Sequence, residues 1–152
     1  MAGHRPAAAA ADSSMEVRMD WRLEVVVIPV SDVDRAKRFY EEQLGFHVDT
    51  DTRMSDAFRV VQITPPGSAC SVVFGTGLSQ MEPGSVKGLQ LCVDDVEAAR
   101  AELVGHGVEV TEITHFDDGV PAPGPGGDYN SFVFFSDPDG NAWTVQETPV
   151  RA

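Results

Sequence analysis

Residues 23–44, LEVVVIPVSDVDRAKRFYEEQL, place a β-branched apolar run directly before a helical pattern. The run at 23–30 predicts a buried strand, and Ser31 followed three residues later by Asp34 is typical of a helix N-terminus. The apolar positions of this helix recur at helical spacing and end before a glycine: Val33, Ala36, Tyr40, Leu44 and Gly45. The stretch therefore predicts a strand followed at once by a helix.

Three more strands are predicted after this helix, and the same order then recurs in the second half of the chain. The predicted strands of the first half are 46–51, 57–64 and 70–75, with the turn Pro65-Pro66-Gly67-Ser68 before the last. The second half is predicted as strand 86–93, helix 94–105 and strands 108–114, 131–136 and 142–147, with the turn Asp137-Pro138-Asp139-Gly140-Asn141 before the last. We expect an α+β fold of two tandem βαβββ modules, 22–76 and 85–148, with the helices outside and the mixed sheets cupped around a cleft.

Length and charge limit the classes of function. The 152 residues, 42% hydrophobic, suit one domain with its own core. The 24 acidic and 11 basic residues give a net charge of −13, which repels phosphate backbones and anionic lipids, so neither nucleic acid nor a membrane is an expected partner. No apolar run approaches the roughly 20 residues of a membrane span. Cys70 and Cys92 lie in apolar runs as reduced thiols do, and we expect a cytoplasmic protein.

The first 18 residues are predicted to be a disordered tail. They begin MAGHRPAAAAADSSMEVR, and their apolar part, 7–11, is too short for the core of a signal peptide. The folded domain is therefore expected to span 19–152.

Three motifs resemble the vicinal oxygen chelate superfamily, which contains glyoxalases, bleomycin-resistance proteins and extradiol dioxygenases. They are PVSDVDRAKRFYEEQLGF at 29–46, VDDVEAARAEL at 93–103 and FFSDPDGNAWTVQE at 134–147, within a similarity that covers about residues 22–148. Their order, spacing and duplication are more specific than any one of them. The resemblance implies that side chains from the first and last strands of both modules converge on one site, which in the family holds a divalent metal. Family members often form dimers, so a homodimer is a further expectation.

The metal-ligand positions implied by the resemblance carry no suitable ligands here. They are Val25, Ser71, Gly88 and Thr144, and a stable site needs imidazole, carboxylate or thiolate groups. A register shifted by one residue brings Glu24 to the first position, but one carboxylate does not make a site. The histidines do not replace the set, because they lie in the tail, beside helix ends or at a loop start: His4, His47, His106 and His115. We expect neither metal nor other cofactor.

The same four positions define which strand residues face the cleft, because side chains alternate along a strand. The expected ligand-binding positions are Val25, Val27, Ser71, Val73, Gly88, Gln90, Cys92, Thr144 and Gln146. The opposite phase is apolar and is expected beneath the helices. Such a cleft suits an organic molecule oriented by a few hydrogen bonds. Alternatively, Gln90 and Gln146 pair with each other or with buried water, and Cys92 is an inert filler.

The insertion 115–130 is long for a loop and rich in glycine and proline, as lids beside clefts often are. Within it, His115 is a candidate general base that Asp117 could orient. The alternative is an ordinary solvated loop.

These observations leave two main hypotheses. The first is a protein that binds a small organic ligand or antibiotic-like metabolite without a metal. The second is a metal-independent lyase or isomerase in which His115 takes a proton next to a carbonyl that Ser71, Thr144 or a Gln amide polarises. A pure interaction module is a weaker third reading, because it leaves the cleft unused.

Overall fold

The computed structural model describes residues 17–150; residues 1–16, most of the predicted tail, and 151–152 lie outside the described part. The first half has the predicted βαβββ order: β1 (Val25–Val27), α1 (Val33–Arg38), which continues as a π-helical turn (Phe39–Gln43), β2 (His47–Ser55), β3 (Phe58–Thr64) and β4 (Ser71–Thr76). The second half contains β5 (Leu89–Val93), α2 (Val96–Gly105), β6 (Thr114–Asp117), β7 (Val120–Pro123), β8 (Phe132–Ser136) and β9 (Ala142–Glu147).

Each half builds one mixed sheet. The first has the order β1-β4-β3-β2 and the second the order β5-β9-β8-β6-β7. In both sheets the strand before the helix lies parallel to the last strand, and the remaining pairs are antiparallel. The α+β class and the two-module architecture are therefore confirmed.

The prediction for 108–130 was wrong in detail. Residues 108–113 form no strand, and the insertion is not one long loop, because a hairpin adds β6 and β7 to the edge of the second sheet. Its turn, Asp118-Gly119, has positive φ at both residues (50° and 81°), the backbone that a two-residue hairpin requires. Only 124–130 remain as a loop.

The start of α1 also differs from the prediction. Asp32, not Ser31, is the N-cap, and its carboxylate accepts a hydrogen bond from the backbone N–H of Arg35 at 3.0 Å. The Ser31 hydroxyl instead donates to Asp139 of the second module at 2.5 Å. The predicted strand 23–30 shortens to β1 because Pro29 has no N–H to donate and Leu23 has no neighbouring strand.

The helix-facing sides of both sheets share one core. Tyr40, which is fully buried, lies at its centre, and its ring centroid is within about 6 Å of those of Phe46, Phe74 and Trp143. Apolar residues predicted for the helix side, such as Val72 and Val145, are buried in this core. The two modules are thus joined by packing between their helix sides, and this leaves the opposite faces of both sheets open.

The turn 137–141 has a structural role. Asp137 Oδ1 accepts hydrogen bonds from the backbone N–H groups of Asp139, Gly140 and Asn141. The Asn141 amide nitrogen donates to Asp137 Oδ2 and to the carbonyl oxygen of Pro29, both at 2.8 Å. This turn therefore holds the end of β1 against the second module.

Candidate functional site

The open face of the second sheet gathers most of the expected ligand-binding positions. Gln90 lies beside Thr144 and Cys92 beside Gln146 in the parallel pair of β5 and β9. Gly88 comes directly before β5 and has φ +90°, and apart from Gly88 and its two chain neighbours no atom lies within 4 Å of where its Cβ would be. Gln90, Cys92, Thr144 and Gln146 therefore lie on the same face of the sheet, as the predicted alternation of side chains requires.

Three phenylalanines on the same face were missed by the sequence analysis. Phe132 pairs with Gln146, and Phe134 pairs with Thr144, so both rings share the open face. Their ring planes lie 14° apart with centroids 6.2 Å apart, and Phe116 meets Phe132 edge to face at 5.4 Å. All three are only partly buried. We call Phe116, Phe132 and Phe134 the aromatic platform; the alternation of 132 and 134 along β8 was the signal that could have found it.

Two amides beside the platform are hydrogen-bonded to each other. Gln90 Nε2 donates to Gln146 Oε1 at 2.6 Å, and Gln146 Nε2 donates to the carbonyl oxygen of Tyr129 at 2.8 Å. The structure thus contains the Gln90–Gln146 hydrogen bond that the sequence suggested as an alternative. Gln146 is fixed at both ends of its amide, whereas the Gln90 carbonyl oxygen has no donor among residues 17–150. Tyr129 holds its carbonyl there with a φ of 61°.

The open face of the first sheet carries a chain of polar groups. Val25 lies beside Ser71 and Val27 beside Val73, as expected. The Ser71 hydroxyl lies 2.6 Å from that of Thr64, and Thr64 donates to Asp49, whose carboxylate also accepts from His47. The Thr64 hydroxyl and His47 hold the pKa of Asp49 below its usual range.

The direction of this chain determines what Ser71 offers to a ligand. Because the Thr64 proton goes to Asp49, the Ser71 proton goes to Thr64, and the Ser71 oxygen is left as an acceptor. No hydrogen bond among residues 17–150 links this open face to that of the second sheet. The four positions taken from the resemblance therefore form two separate groups: Val25 and Ser71 in the first module, and Gly88 and Thr144 in the second.

His115 lies on β6, next to Phe116 of the platform. Alternation puts its side chain on the other face of the strand from Phe116. Its Nδ1 is 2.8 Å from the carbonyl oxygen of Gly124, and its Nε2 is 3.3 Å from Asp117 Oδ2, so both ring nitrogens meet acceptor oxygens. The predicted contact with Asp117 is present, but the imidazole and the platform lie on opposite sides of the sheet.

Two depressions include residues of the second open face, but each also reaches residues on the other side of the sheet. One, of about 530 Å³, is lined by Gln90 and Cys92, by the turn 65–68 and by residues of α2. The other, of about 590 Å³, is lined by Phe134 and Thr144 and by core residues of β8 and β9. Their sizes are those of sites for small organic molecules.

Comparison with known proteins agrees with this architecture. Residues 22–145 match the model of the glyoxalase/bleomycin resistance protein/dioxygenase superfamily. The chain belongs to this superfamily. Among solved structures it resembles TnmS3, an antibiotic binding protein from Streptomyces sp. CB03234, with 32% identity, a TM-score of 0.69, and coverage of 87% of this chain and 99% of that one.

Two further members of the superfamily are similar over most of their length. A glyoxalase/bleomycin resistance protein from Streptomyces sp. CB03234 is 34% identical, with a TM-score of 0.65 and coverage of 82% of this chain and 99% of that one. A member from Sphaerobacter thermophilus DSM 20745 is 28% identical, with a TM-score of 0.67 and coverage of 86% and 99%. A comparison with curated protein sequences found no match.

The metal that the superfamily implies does not fit the side chains at the four positions that the resemblance indicates. Val25 and Gly88 have no donor atom, and Ser71 and Thr144 offer only hydroxyls. Within residues 17–150, no three His, Cys, Asp or Glu side chains are placed to share a metal ion. In the same part of the chain, no helix has the length and apolar character needed to span a membrane.

Proposed function

We propose that this superfamily member binds a small organic molecule with a flat aromatic surface against the aromatic platform, and that it needs no metal to do so. The observation that carries the proposal is the near-parallel pair Phe132 and Phe134, whose partly exposed rings lie on the open side of the sheet. Aromatic groups gain stacking and apolar contact on such a surface, by about 1 kcal/mol per pair beyond the area buried.

Polar groups at the edge of the platform would orient the ligand. Because Gln146 is held by Gln90 and by the Tyr129 carbonyl, the amide is fixed before a ligand arrives. The Gln90 carbonyl oxygen is then an acceptor for a ligand N–H or O–H. A pre-ordered site of this kind loses less side-chain entropy on binding.

The similarity to an antibiotic binding protein supports a small-molecule ligand. TnmS3 is similar to this chain over nearly its whole length. The net charge of −13 favours a neutral or cationic ligand over an anionic one. We therefore propose a neutral or cationic aromatic compound, antibiotic-like in size, as the ligand class.

The enzymatic alternative has less support. A general base must reach the proton that it takes, and His115 lies across the sheet from the platform. Gly124 and Asp117 already engage its two nitrogens. We therefore propose that the protein binds its ligand without converting it. Conversion of the ligand to a product in a turnover assay would instead favour the lyase or isomerase hypothesis.

A thermal-shift screen with two matched sets of compounds tests the proposal. One set contains flat bicyclic and tricyclic aromatics, and the other contains saturated rings of similar size and charge. Stabilisation by members of the aromatic set alone supports the proposal. Equal stabilisation by saturated rings, or conversion of a hit to product, contradicts it.

A further inference from the structure

A segment between α2 and β6 runs along the edge of β8 without forming a strand. The N–H of Thr111 donates to the Phe134 carbonyl oxygen at 3.0 Å, and the N–H of Phe134 donates to the Thr111 hydroxyl, also at 3.0 Å. At the start of the segment, the N–H of Val108 donates to the carbonyl oxygen of Leu103 in α2 at 2.9 Å. We call residues 108–111 the flanking segment, and these bonds fix it beside Phe134 of the aromatic platform.

The two valines of the flanking segment determine where Glu109 points. Val108 is buried in the core, and Val110 packs against the core from a partly buried position. Glu109 lies between them and is exposed, so its side chain points away from the core. The face of β8 that points away from the core is the open face with Phe134. Glu109 and Phe134 therefore lie on the same side of the second module.

Glu109 and Phe134 also line the same depression. This depression, of about 590 Å³, includes Thr144, which is opposite Phe134 in the pair of β8 and β9. Its charged lining residues within the described chain are Glu109 and Asp137, and both are acidic. A ligand ring that stacks on Phe134 and extends into the depression thus meets acidic groups and no basic side chain of residues 17–150.

The two acidic groups differ in what they can offer a ligand. The Asp137 carboxylate is buried, and both of its oxygens accept hydrogen bonds within the protein. Glu112, three residues after Glu109, lies 2.9 Å from Arg100 in an ion pair. Within residues 17–150, by contrast, no basic side chain forms an ion pair with Glu109. The Glu109 carboxylate is therefore the acidic group of the depression that can pair with a ligand cation.

We propose that Glu109 makes the site selective for aromatic ligands that carry a positive charge. The inference rests on the proposed function, because the platform must hold the aromatic part before Glu109 can act on the charge. The carboxylate attracts a cation and repels an anion, and the partly exposed ring of Phe134 also favours a cation. Because Glu109 is exposed, water screens the interaction, so we expect a preference of about 5-fold and not of several powers of ten.

Three acridines that differ in charge test the selectivity on one ring system. Near neutral pH, 9-aminoacridine is a cation, acridine is uncharged and acridine-9-carboxylate is an anion. By calorimetric titration of the wild type, we expect the cation to bind about 5-fold more tightly than acridine, and the carboxylate to bind most weakly. At about 1 M salt, where charges are screened within roughly 3 Å, these differences should largely disappear.

Two matched variants separate the effect of Glu109 from that of the net charge of −13, because Glu109→Gln and Glu97→Gln each remove one negative charge. Glu97 is an exposed acid in the first turn of α2 and lines neither depression. In Glu109→Gln, we expect the preference for the cation over acridine to fall below about 2-fold, with acridine bound as in the wild type. In Glu97→Gln, we expect the preference of the wild type.

The outcomes distinguish this inference from the proposed function. Equal affinities of the wild type for acridine and 9-aminoacridine would overturn the role of Glu109 and leave the platform as the binding surface. A preference that Glu109→Gln retains in full, or that Glu97→Gln loses to the same extent, would overturn it too. If none of the three acridines binds, the proposed function itself fails, and this inference with it. Melting temperatures equal to that of the wild type check that the variants fold.

Discussion

Tyr40 donates a 2.7 Å hydrogen bond to Asp137, and this contact links the helical segment of the first module to the last turn of the second. The indole N–H of Trp143 donates to the same phenolic oxygen at 3.0 Å. Burial, together with the nearby Asp137 carboxylate, raises the pKa of Tyr40 far above its usual value, so the phenol remains a donor. The hydroxyl therefore satisfies two buried polar groups that come from the other module.

Replacing Tyr40 by Phe should weaken the joint between the modules. The change leaves a carboxylate oxygen and an indole N–H with fewer partners, at an expected loss of about 2 kcal/mol in the free energy of unfolding. Urea denaturation of Tyr40→Phe measures this loss. Tyr129→Phe, at an exposed tyrosine, is the control and should change stability by less than about 0.5 kcal/mol. Equal effects of the two changes would contradict the role given to Tyr40.

The hydrogen bonds between the buried Arg59 and Asp51 should make the free energy of unfolding depend on pH. Its guanidinium donates to both carboxylate oxygens of Asp51, at 3.0 and 2.9 Å, and Lys37 donates to Asp51 at 2.9 Å. The hydrogen bonds from Arg59, and then that from Lys37, hold the pKa of Asp51 far below its usual range. A lowered pKa in the folded state stabilises the protein above the unfolded pKa of about 3.9, and the contribution is lost as the pH falls below that value.

Asp51→Asn should therefore lower the free energy of unfolding at pH 6 by about 2 kcal/mol, the scale of hydrogen bonds to charged groups. The difference from the wild type should shrink between pH 4 and pH 2. Denaturant titrations at several pH values measure it, with Asp56→Asn, at an exposed acid, as the control. A difference that is constant with pH would show that the charge of Asp51 is not what stabilises Arg59.

Metal analysis tests the proposal that binding is metal-independent. Because Val25, Ser71, Gly88 and Thr144 supply no imidazole, carboxylate or thiolate, protein dialysed after purification should hold far less than one transition metal per chain. Chelator should change neither the melting temperature nor the affinity for any hit of the thermal-shift screen. One tightly held metal per chain, with binding lost to chelator, would contradict it.

His115→Ala separates binding from chemistry. Because the imidazole lies across the sheet from the platform, we expect the affinity for an aromatic ligand to change less than about 3-fold, while the loss of the bond to the Gly124 carbonyl lowers stability by about 1 kcal/mol. Calorimetry and urea denaturation measure the two effects. If a hit is turned over and the variant loses about 100-fold in rate with binding retained, His115 is a general base and the enzymatic reading is favoured.

Strand alternation made the face of each strand predictable, because one anchored position fixes its neighbours. Starting from Val25 and Thr144, this alternation predicted that Gln90 and Gln146 face the cleft. The strand registers agree with this choice of face. The hydrogen bond between those two amides was not predictable, since it depends on side-chain rotamers and on the Tyr129 carbonyl from a distant loop.

The hairpin and the platform were missed for different reasons. Asp118-Gly119 is a strong hairpin signal, but the surrounding glycines and prolines outweighed it when 115–130 was interpreted as a loop. Phe132 and Phe134 alternate with Val133 and Phe135, so β8 is apolar on both faces and periodicity alone does not separate core from site. The pairing of Phe134 with Thr144 makes this separation, because it puts Phe134 on the open face that carries Thr144.

Calorimetric titration with 9-aminoacridine, a flat tricyclic cation, in the presence of chelator measures whether the aromatic platform binds a ligand without a metal. We expect saturable binding with about one ligand per chain, weakened about 10-fold or more in Phe134→Ala because the stacking surface is lost. We expect an unchanged affinity in Val104→Ala, at an exposed position on α2, and no binding of the saturated control cyclohexylamine. Binding that is unchanged in Phe134→Ala, or that requires an added metal, would contradict the proposed function.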